Sequence, residues 1–291
     1  MGHPESPDRL RVILKHLKTP EFAGLEWREA PEATPEQILR VHTQAMLNLV
    51  LADDERSIDG DTATAPGSRA AALRAAGAAC AAVEHAIATG SHAFCAIRPP
   101  GHHAEPAQSM GFCLLNNVAI GARHAQALGK QRVAVLDFDV HHGNGTQAEA
   151  WDDADFFFAS THQWPLYPGT GGAHEAGACG NVLNVPLPAG CGSGPFRQAW
   201  GEVILPCLAA FKPELVFISA GFDAHMADPL ADYLACLDGF AHLPDDALVL
   251  PAHGQPYRGV HARIAEIRAH HEERLDKLHA ALAAAPQGLA G

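Results

Sequence analysis

The 291-residue chain has no run approaching the ~18 consecutive apolar residues that would suggest a membrane-spanning helix. Its start, MGHPESPDRL, has no apolar stretch of the signal-peptide kind, so neither export nor membrane insertion is expected and the predicted setting is cytoplasmic. The seven cysteines, Cys80, Cys95, Cys113, Cys179, Cys191, Cys207 and Cys236, form no CxxC pair. An odd, scattered set argues against a disulfide framework and predicts reduced thiols, most of them in the core. Basic side chains are few, 20 Lys and Arg against 33 Asp and Glu, and a net charge of −13 argues against a groove for direct contact with nucleic acid. Such acidity is compatible with a cationic substrate, although at a surface it serves solubility first. Tyrosine is rare, with only Tyr167, Tyr233 and Tyr257.

What the chain does have is VAVLDFDVHHGNGT, from Val133 to Thr146. An apolar strand runs into two carboxylates, two imidazoles and a glycine turn. Ligands of open parallel sheets bind at the carboxyl ends of strands, which is where this segment delivers Asp137, Asp139, His141 and His142. Strand alternation would project Asp137, Asp139 and His141 to one side. Two of these three sharing a divalent ion is the economical explanation. Solvated charges at a strand edge are the plain alternative, weakened by the cost of desolvating two carboxylates beside an apolar run.

Periodicity predicts helix within Thr34 to Leu51, an alanine-rich helix over Ser68 to Thr89, and helices over Leu114 to Leu128 and Gly194 to Phe211. Strands are predicted at Ala93 to Ile97, Arg132 to Asp139, Phe156 to Ser160 and Leu215 to Ala220. This alternation implies an α/β fold with a mainly parallel sheet and crossover helices. The stretches Pro165 to Gly180 and Pro186 to Pro195 are rich in glycine and proline, and loops of such length more often signal a site than an accident.

Three strand ends carry polar groups: His102 and His103 in RPPGHHAEP, the acid and histidine cluster at 137 to 142, and Asp223 with His225 in SAGFDAH. A catalytic zinc needs three protein ligands and an open position, and Asp139, His141 and Asp223 supply mixed ligation of that kind. A metal there would acidify water to a pKa of ~7 and polarise a carbonyl, with His102 or His103 moving protons.

The motifs PPGHHA, GFCLLNN, LDFDVHHGNGT, HQWPLYPGTG and SAGFDAH together resemble those of the histone deacetylase family, more narrowly its bacterial class II-like members and acetylpolyamine amidohydrolases. The resemblance covers residues 1–231. It implies an arginase/deacetylase-like three-layer α/β/α fold and zinc-dependent removal of acetyl groups from acetylated lysine or polyamine. It also implies that Asp139, His141 and Asp223 hold Zn2+. His103 would act as general base and acid, and His102 as its electrostatic partner tied to Asp137. Asn144 stands where some relatives carry an aspartate facing the second histidine. Gly111, Phe112 and Tyr167 match the walls of an acyl-lysine tunnel, with ordinary core packing the plain alternative for the two aromatics. A structural K+ would be held by backbone oxygens around Asp137 to His141 with the side chains of Asp137 and Ser160.

Beyond Ala231 the family pattern would run through a further helix and strand to a Gly-Gly-Tyr turn whose tyrosine stabilises the oxyanion, and no such turn is present. This motivates an alternative: an impaired enzyme, or a non-catalytic acyl-lysine or metal-binding module. Residues 232–291 instead resemble the C-terminal part of metallo-β-lactamase-fold hydrolases, where His253 would match a metal ligand. The tail lacks HxHxDH, which makes a lactamase-like thioester or ester hydrolase remote and favours a plain loop histidine. The tail also carries an amphipathic helix with Val260, Ile264, Ile267, Leu275, Leu278 and Leu282 on one stripe, and His270 and His271 on exposed helix surface. That stripe is expected to pack on the edge of a sheet lacking its usual last strands, or on another chain in a homo-oligomer. The N-terminus is expected to omit a first strand, and the junction near Ala231 to mark a fused or misread frame.

Overall fold

A computed structural model describes residues 5–224. In chain order the helices are α1 (Pro7–Leu17), α2 (Pro35–Ile38) and α3 (Gln44–Leu51), followed by a hairpin of β1 (Arg56–Ser57) and β2 (Ala63–Thr64). Next come α4 (Ser68–Thr89), α5 (Asn117–Ala127), β3 (Val133–Asp137), α6 (Asn144–Ala150), β4 (Phe156–Gln163) and β5 (Val182–Leu187). The last are α7 (Ser193–Gln198), a π-helical turn at Ala199–Ile204, α8 (Leu205–Phe211) and β6 (Leu215–Ser219).

The main sheet is parallel, in the order β5-β4-β3-β6. Strand alternation divides its residues between two apolar layers. Val133, Val135, Phe156 and Phe158 pack with Val83, Ala122 and Ala125 of α4 and α5, while Ala134, Leu136, Phe157 and Ala159 pack with Ile204, Leu208 and Phe211 on the other face. The result is the expected three-layer α/β/α arrangement. Each fully buried aromatic, such as Phe156 or Phe158, contributes roughly 1.5–3 kcal/mol. In α4 the alanines Ala72, Ala75, Ala76 and Ala79 are buried, and their small side chains let α5 approach closely.

Several elements differ from expectation. Ala93 to Ile97 is no strand: Cys95 donates to the Ala78 carbonyl of α4 and Arg9 to the Ile97 carbonyl, so the segment lies against helices with Phe94 exposed. Helix within Thr34 to Leu51 is broken between α2 and α3, because the backbone turns to bury His42 and Thr43 then caps α3. Strand β3 ends at Asp137; beyond it, carboxylates take over as acceptors, the Asp139 N–H donating to Asp137 Oδ1 (3.0 Å) and the His141 N–H to Asp139 Oδ1 (2.8 Å). Strand alternation therefore does not explain how Asp139 and His141 come together; a tight turn does. Strand β5 was hidden by Pro186, which sits opposite His162 on an edge strand, where a missing N–H is tolerated. Among the six described cysteines, all free, Cys80 and Cys113 are buried but Cys179 and Cys207 are exposed, so most do not sit in the core.

His42 was not legible as a structural residue. Its Nδ1–H donates to the Glu105 carbonyl (3.1 Å) and its Nε2 accepts from the Asn116 N–H (2.8 Å), which ties the turn between α2 and α3 to the loop after His103 and to the start of α5. Burial pushes its pKa from 6.5 down to about 4. Above pH 6.5 the ring is neutral whether the chain is folded or not; between 6.5 and 4 the unfolded chain takes up a proton that the folded protein refuses. Stability contributed by His42 is thus complete above pH 6.5 and lost as pH falls through about 4, a loss of up to roughly 3 kcal/mol. Denaturant unfolding at several pH values should show this acid-side slope reduced in His42→Gln; an unchanged slope would refute the assignment.

Among the described residues no helix is long and apolar enough to cross a membrane. His225, Tyr233, His253, Tyr257, His270, His271, the tail helix and the junction near Ala231 lie outside the described residues.

Candidate active site

The carboxyl ends of β3 and β6 bring Asp139, His141 and Asp223 together, each offering one ligand atom within 4.8 Å of the others. His141 Nδ1 lies 3.1 Å from Asp139 Oδ1 and 3.0 Å from Asp223 Oδ2. Asp223 also accepts the Val140 N–H at 2.9 Å, which fixes the turn after β3 against the segment after β6. Gly221 is needed for this approach, since a Cβ there would run into the Asp139 carboxylate.

The electrostatics of the cluster are those of a cation site. Burial disfavours charge on His141, yet the two carboxylates outweigh it and push its pKa up to about 10. Burial and the neighbouring Asp139 charge raise Asp223 to about 6, while Asp139, although buried, is held well below the ordinary carboxylate range by His102 and His141. Two carboxylates facing one imidazole nitrogen form a concentrated negative field, which suits a divalent ion able to engage both carboxylates at once. The oxygen and nitrogen donor set suits zinc.

Beside the cluster stand two adjacent imidazoles, His102 and His103, with ring centroids 4.0 Å apart and planes tilted by 44°. They are buried, and their environments push them in opposite directions. His102 Nδ1–H donates to Asp137 Oδ2 (2.8 Å), and its Nε2 lies 3.9 Å from Asp139 Oδ2. Burial opposes the charged form, but Asp137 and Asp139 overcome it and raise the pKa of His102 to about 9. His103 is held well below 6.5 by burial and by the charge of His102. Its Nδ1–H donates to Asn144 Oδ1 (2.8 Å), an orientation set by the Asn144 amide donating to Glu105 Oε1 (2.8 Å). The ring is therefore neutral with Nε2 carrying the lone pair. Helix α6 supports the pair: its Gly145 and Thr146 N–H groups donate to the His102 carbonyl.

An aromatic side chain borders this site. Tyr167 stands edge-on to His103, with centroids 5.1 Å apart and planes at 87°, and 6.3 Å from the His141 ring. Phe112 adopts a left-handed backbone (φ 65°), which is costly for an aromatic residue and is held by its N–H donating to Thr62 Oγ1 at 3.0 Å. Gly111 before it (φ 57°) leaves no room for a Cβ, which would strike the His103 ring. Asp137 and Ser160 are paired in the β3–β4 register, and Ser160 Oγ donates to His162 Nδ1 (2.8 Å). Sequence reasoning gave no role to Thr62, Gln147, His162 or Glu175; the loop length around Glu175 and the HQWPLYPGTG motif, which begins at His162, were the signals that pointed toward two of them.

A parallel sheet between two helical layers, with an acid and histidine cluster at its strand ends, defines an α/β fold with a candidate metal centre. The model of the histone deacetylase domain matches residues 3–256. The chain is 44% identical over 257 residues to histone deacetylase 14, chloroplastic, of Arabidopsis thaliana, covering 79% of this chain and 61% of that protein. It is 41% identical to the histone deacetylase-like amidohydrolase of Pseudomonas aeruginosa, over 82% of this chain and 66% of that protein. The crystal structure of acetylpolyamine aminohydrolase from Burkholderia pseudomallei superposes with a TM-score of 0.73 at 29% identity, covering 82% of this chain and 80% of that one. The chain belongs to the histone deacetylase family, and spans about two thirds or less of the length of the Arabidopsis and Pseudomonas relatives.

Proposed function

We propose that this protein is a zinc-dependent amidohydrolase that removes acetyl groups from acetylated lysine or polyamine. The observation that carries this reading is the geometry of the histidine pair beside the three-ligand cluster: His102 Nδ1–H donates to Asp137 (2.8 Å), and His103 Nδ1–H donates to Asn144 (2.8 Å), which leaves Nε2 of His103 as the lone-pair nitrogen. Asp139, His141 and Asp223 would hold zinc, which when bound supplies Lewis-acid polarisation of the amide carbonyl and a water acidified to ~7. His103 accepts a proton at Nε2 and then delivers it to the leaving amine, so that one residue serves as base and acid in turn. His102, kept protonated by Asp137, supplies positive charge beside the reacting carbonyl and keeps His103 neutral until it accepts a proton. Asn144 holds the His103 tautomer.

Phe112, Gly111 and Tyr167 form the walls of the acyl-lysine tunnel, where aromatic faces suit a methylene stem. A structural potassium ion at Asp137 and Ser160 belongs to the same reading. A cytoplasmic location also belongs to it.

The relatives' names, histone deacetylase, amidohydrolase and acetylpolyamine aminohydrolase, support the reaction class. The test is zinc stoichiometry together with hydrolysis of acetyl-lysine peptides and acetylpolyamines. One zinc per chain with turnover supports the reading; one zinc without turnover favours the second, an impaired acyl-lysine-binding protein. That second reading draws on the sequence after Asp223, where the remaining tyrosines, Tyr233 and Tyr257, stand in no Gly-Gly-Tyr turn. Loss of one oxyanion donor costs ~10²- to 10³-fold in turnover.

A further inference from the structure

The loop from Pro165 to Gly180 carries Tyr167, and a buried polar network grips it on one side. Glu175 Oε1 accepts the N–H groups of Gly171 (2.9 Å) and Gly172 (2.8 Å), and its Oε2 accepts from Gln147 Nε2 of α6 at 2.6 Å. Gln147 Oε1 in turn accepts from His142 Nε2–H (3.1 Å) and from Asn184 Nδ2 of β5 (2.6 Å). His142 Nδ1 then accepts from Thr170 Oγ1 (2.7 Å), and His162 Nε2–H donates to the Gly171 carbonyl (2.9 Å). Gln147, His142, His162 and Asn184 are all buried. The Gln147 amide has one orientation, because its Oε1 is already taken by two donors and only its NH2 can face Glu175.

Tyr167 lies between this anchor and an upstream one, where the Gln163 N–H donates to the Val140 carbonyl and the Trp164 N–H to the Leu187 carbonyl. Pulling Thr170 to Gly172 toward α6 and β4 fixes the downstream end of a short span, and the Tyr167 ring is left edge-on to His103. We propose that Glu175 is a positioning residue, a latch that closes on Gly171, Gly172 and Gln147 and thereby sets where Tyr167 stands in the substrate tunnel. The tunnel role of Tyr167 comes from the function proposed above; the latch itself does not depend on it.

Glu175→Gln sets an NH2 either against Gln147 Nε2 or against the Gly171 and Gly172 N–H groups, and Gln147→Glu places two carboxylates together, so each single change breaks one side of the latch. The double variant Gln147→Glu/Glu175→Gln restores donor to acceptor. Full-length protein loaded with zinc and labelled with 3-fluorotyrosine gives an activity-independent readout, its Tyr167 signal assigned by Tyr167→Phe. Both single variants should shift that signal and speed amide exchange at Gly171 and Gly172 about tenfold, with the double variant returning both toward wild type. On acetylated substrate the singles should raise KM about tenfold while kcat falls by less. Should Gln147→Glu fail to fold, Thr170→Val, which removes one donor from the same segment, should move the signal in the same direction. An unshifted Tyr167 signal in Glu175→Gln, or a double variant no better than the singles, overturns the latch. Wild-type protein without turnover would count against the proposed function alone, leaving the fluorine and exchange results to decide the latch.

Discussion

His103→Ala should lower kcat/KM on an acetylated peptide by ~10²- to 10⁴-fold, the contribution of a positioned general acid and base, while zinc content stays at the wild-type level. The reason is specific to this ring: its Nδ1–H is committed to Asn144 and its Nε2 is the free base. His102→Asn should act differently. Removing the positive neighbour that depresses His103 raises the pKa of His103, so the acid limb of the pH–kcat/KM profile moves to higher pH. Steady-state kinetics across pH, with metal analysis of the same samples, check both. Turnover in His103→Ala within tenfold of wild type would remove His103 from the chemistry.

Asp223→Ala should empty the metal site, dropping zinc affinity by at least the ~10- to 100-fold that loss of a mere supporting contact costs, with turnover falling in parallel. Asp223 meets His141 at 3.0 Å and also accepts the Val140 N–H, so the substitution removes a ligand and loosens the turn that presents Asp139 and His141. Asp223→Asn, which keeps the size and one oxygen, separates the two effects: it should weaken zinc binding through lost charge while thermal unfolding of the metal-free protein changes less than in Asp223→Ala. Zinc titration by a competing chelator measures the affinity. Wild-type zinc affinity in Asp223→Ala would show that the cluster is not the metal site.

Much of the site was visible in one dimension because its chemistry is concentrated in short segments. Asp137, Asp139, His141 and His142 occur within a single strand and turn, and His102 with His103 are adjacent. The reason offered for their convergence was nevertheless incomplete. Alternation along a strand does not carry Asp139 and His141 to Asp223, since β3 stops at Asp137 and a turn closed by side-chain carboxylates does the work. Residues joined over long separations had no local mark: His42 receives a hydrogen bond from Asn116, 74 positions away, and Glu175 meets Gln147 across 28. Ala93 to Ile97 misled because an apolar pentapeptide suits a helix surface as well as a sheet.

By itself the sequence determined the α/β class, the parallel sheet and the identity of the acid and histidine groups at strand ends. Those follow from residue type and periodicity, which are local properties of a chain. Only the tertiary structure decided that the surroundings of His102 raise its pKa and those of His103 lower it, which nitrogen of His103 carries the lone pair, and how Phe112 and Tyr167 are held. A proton's position is set by the carboxylates, amides and burial around a ring, and those neighbours arrive from distant parts of the chain only when it folds.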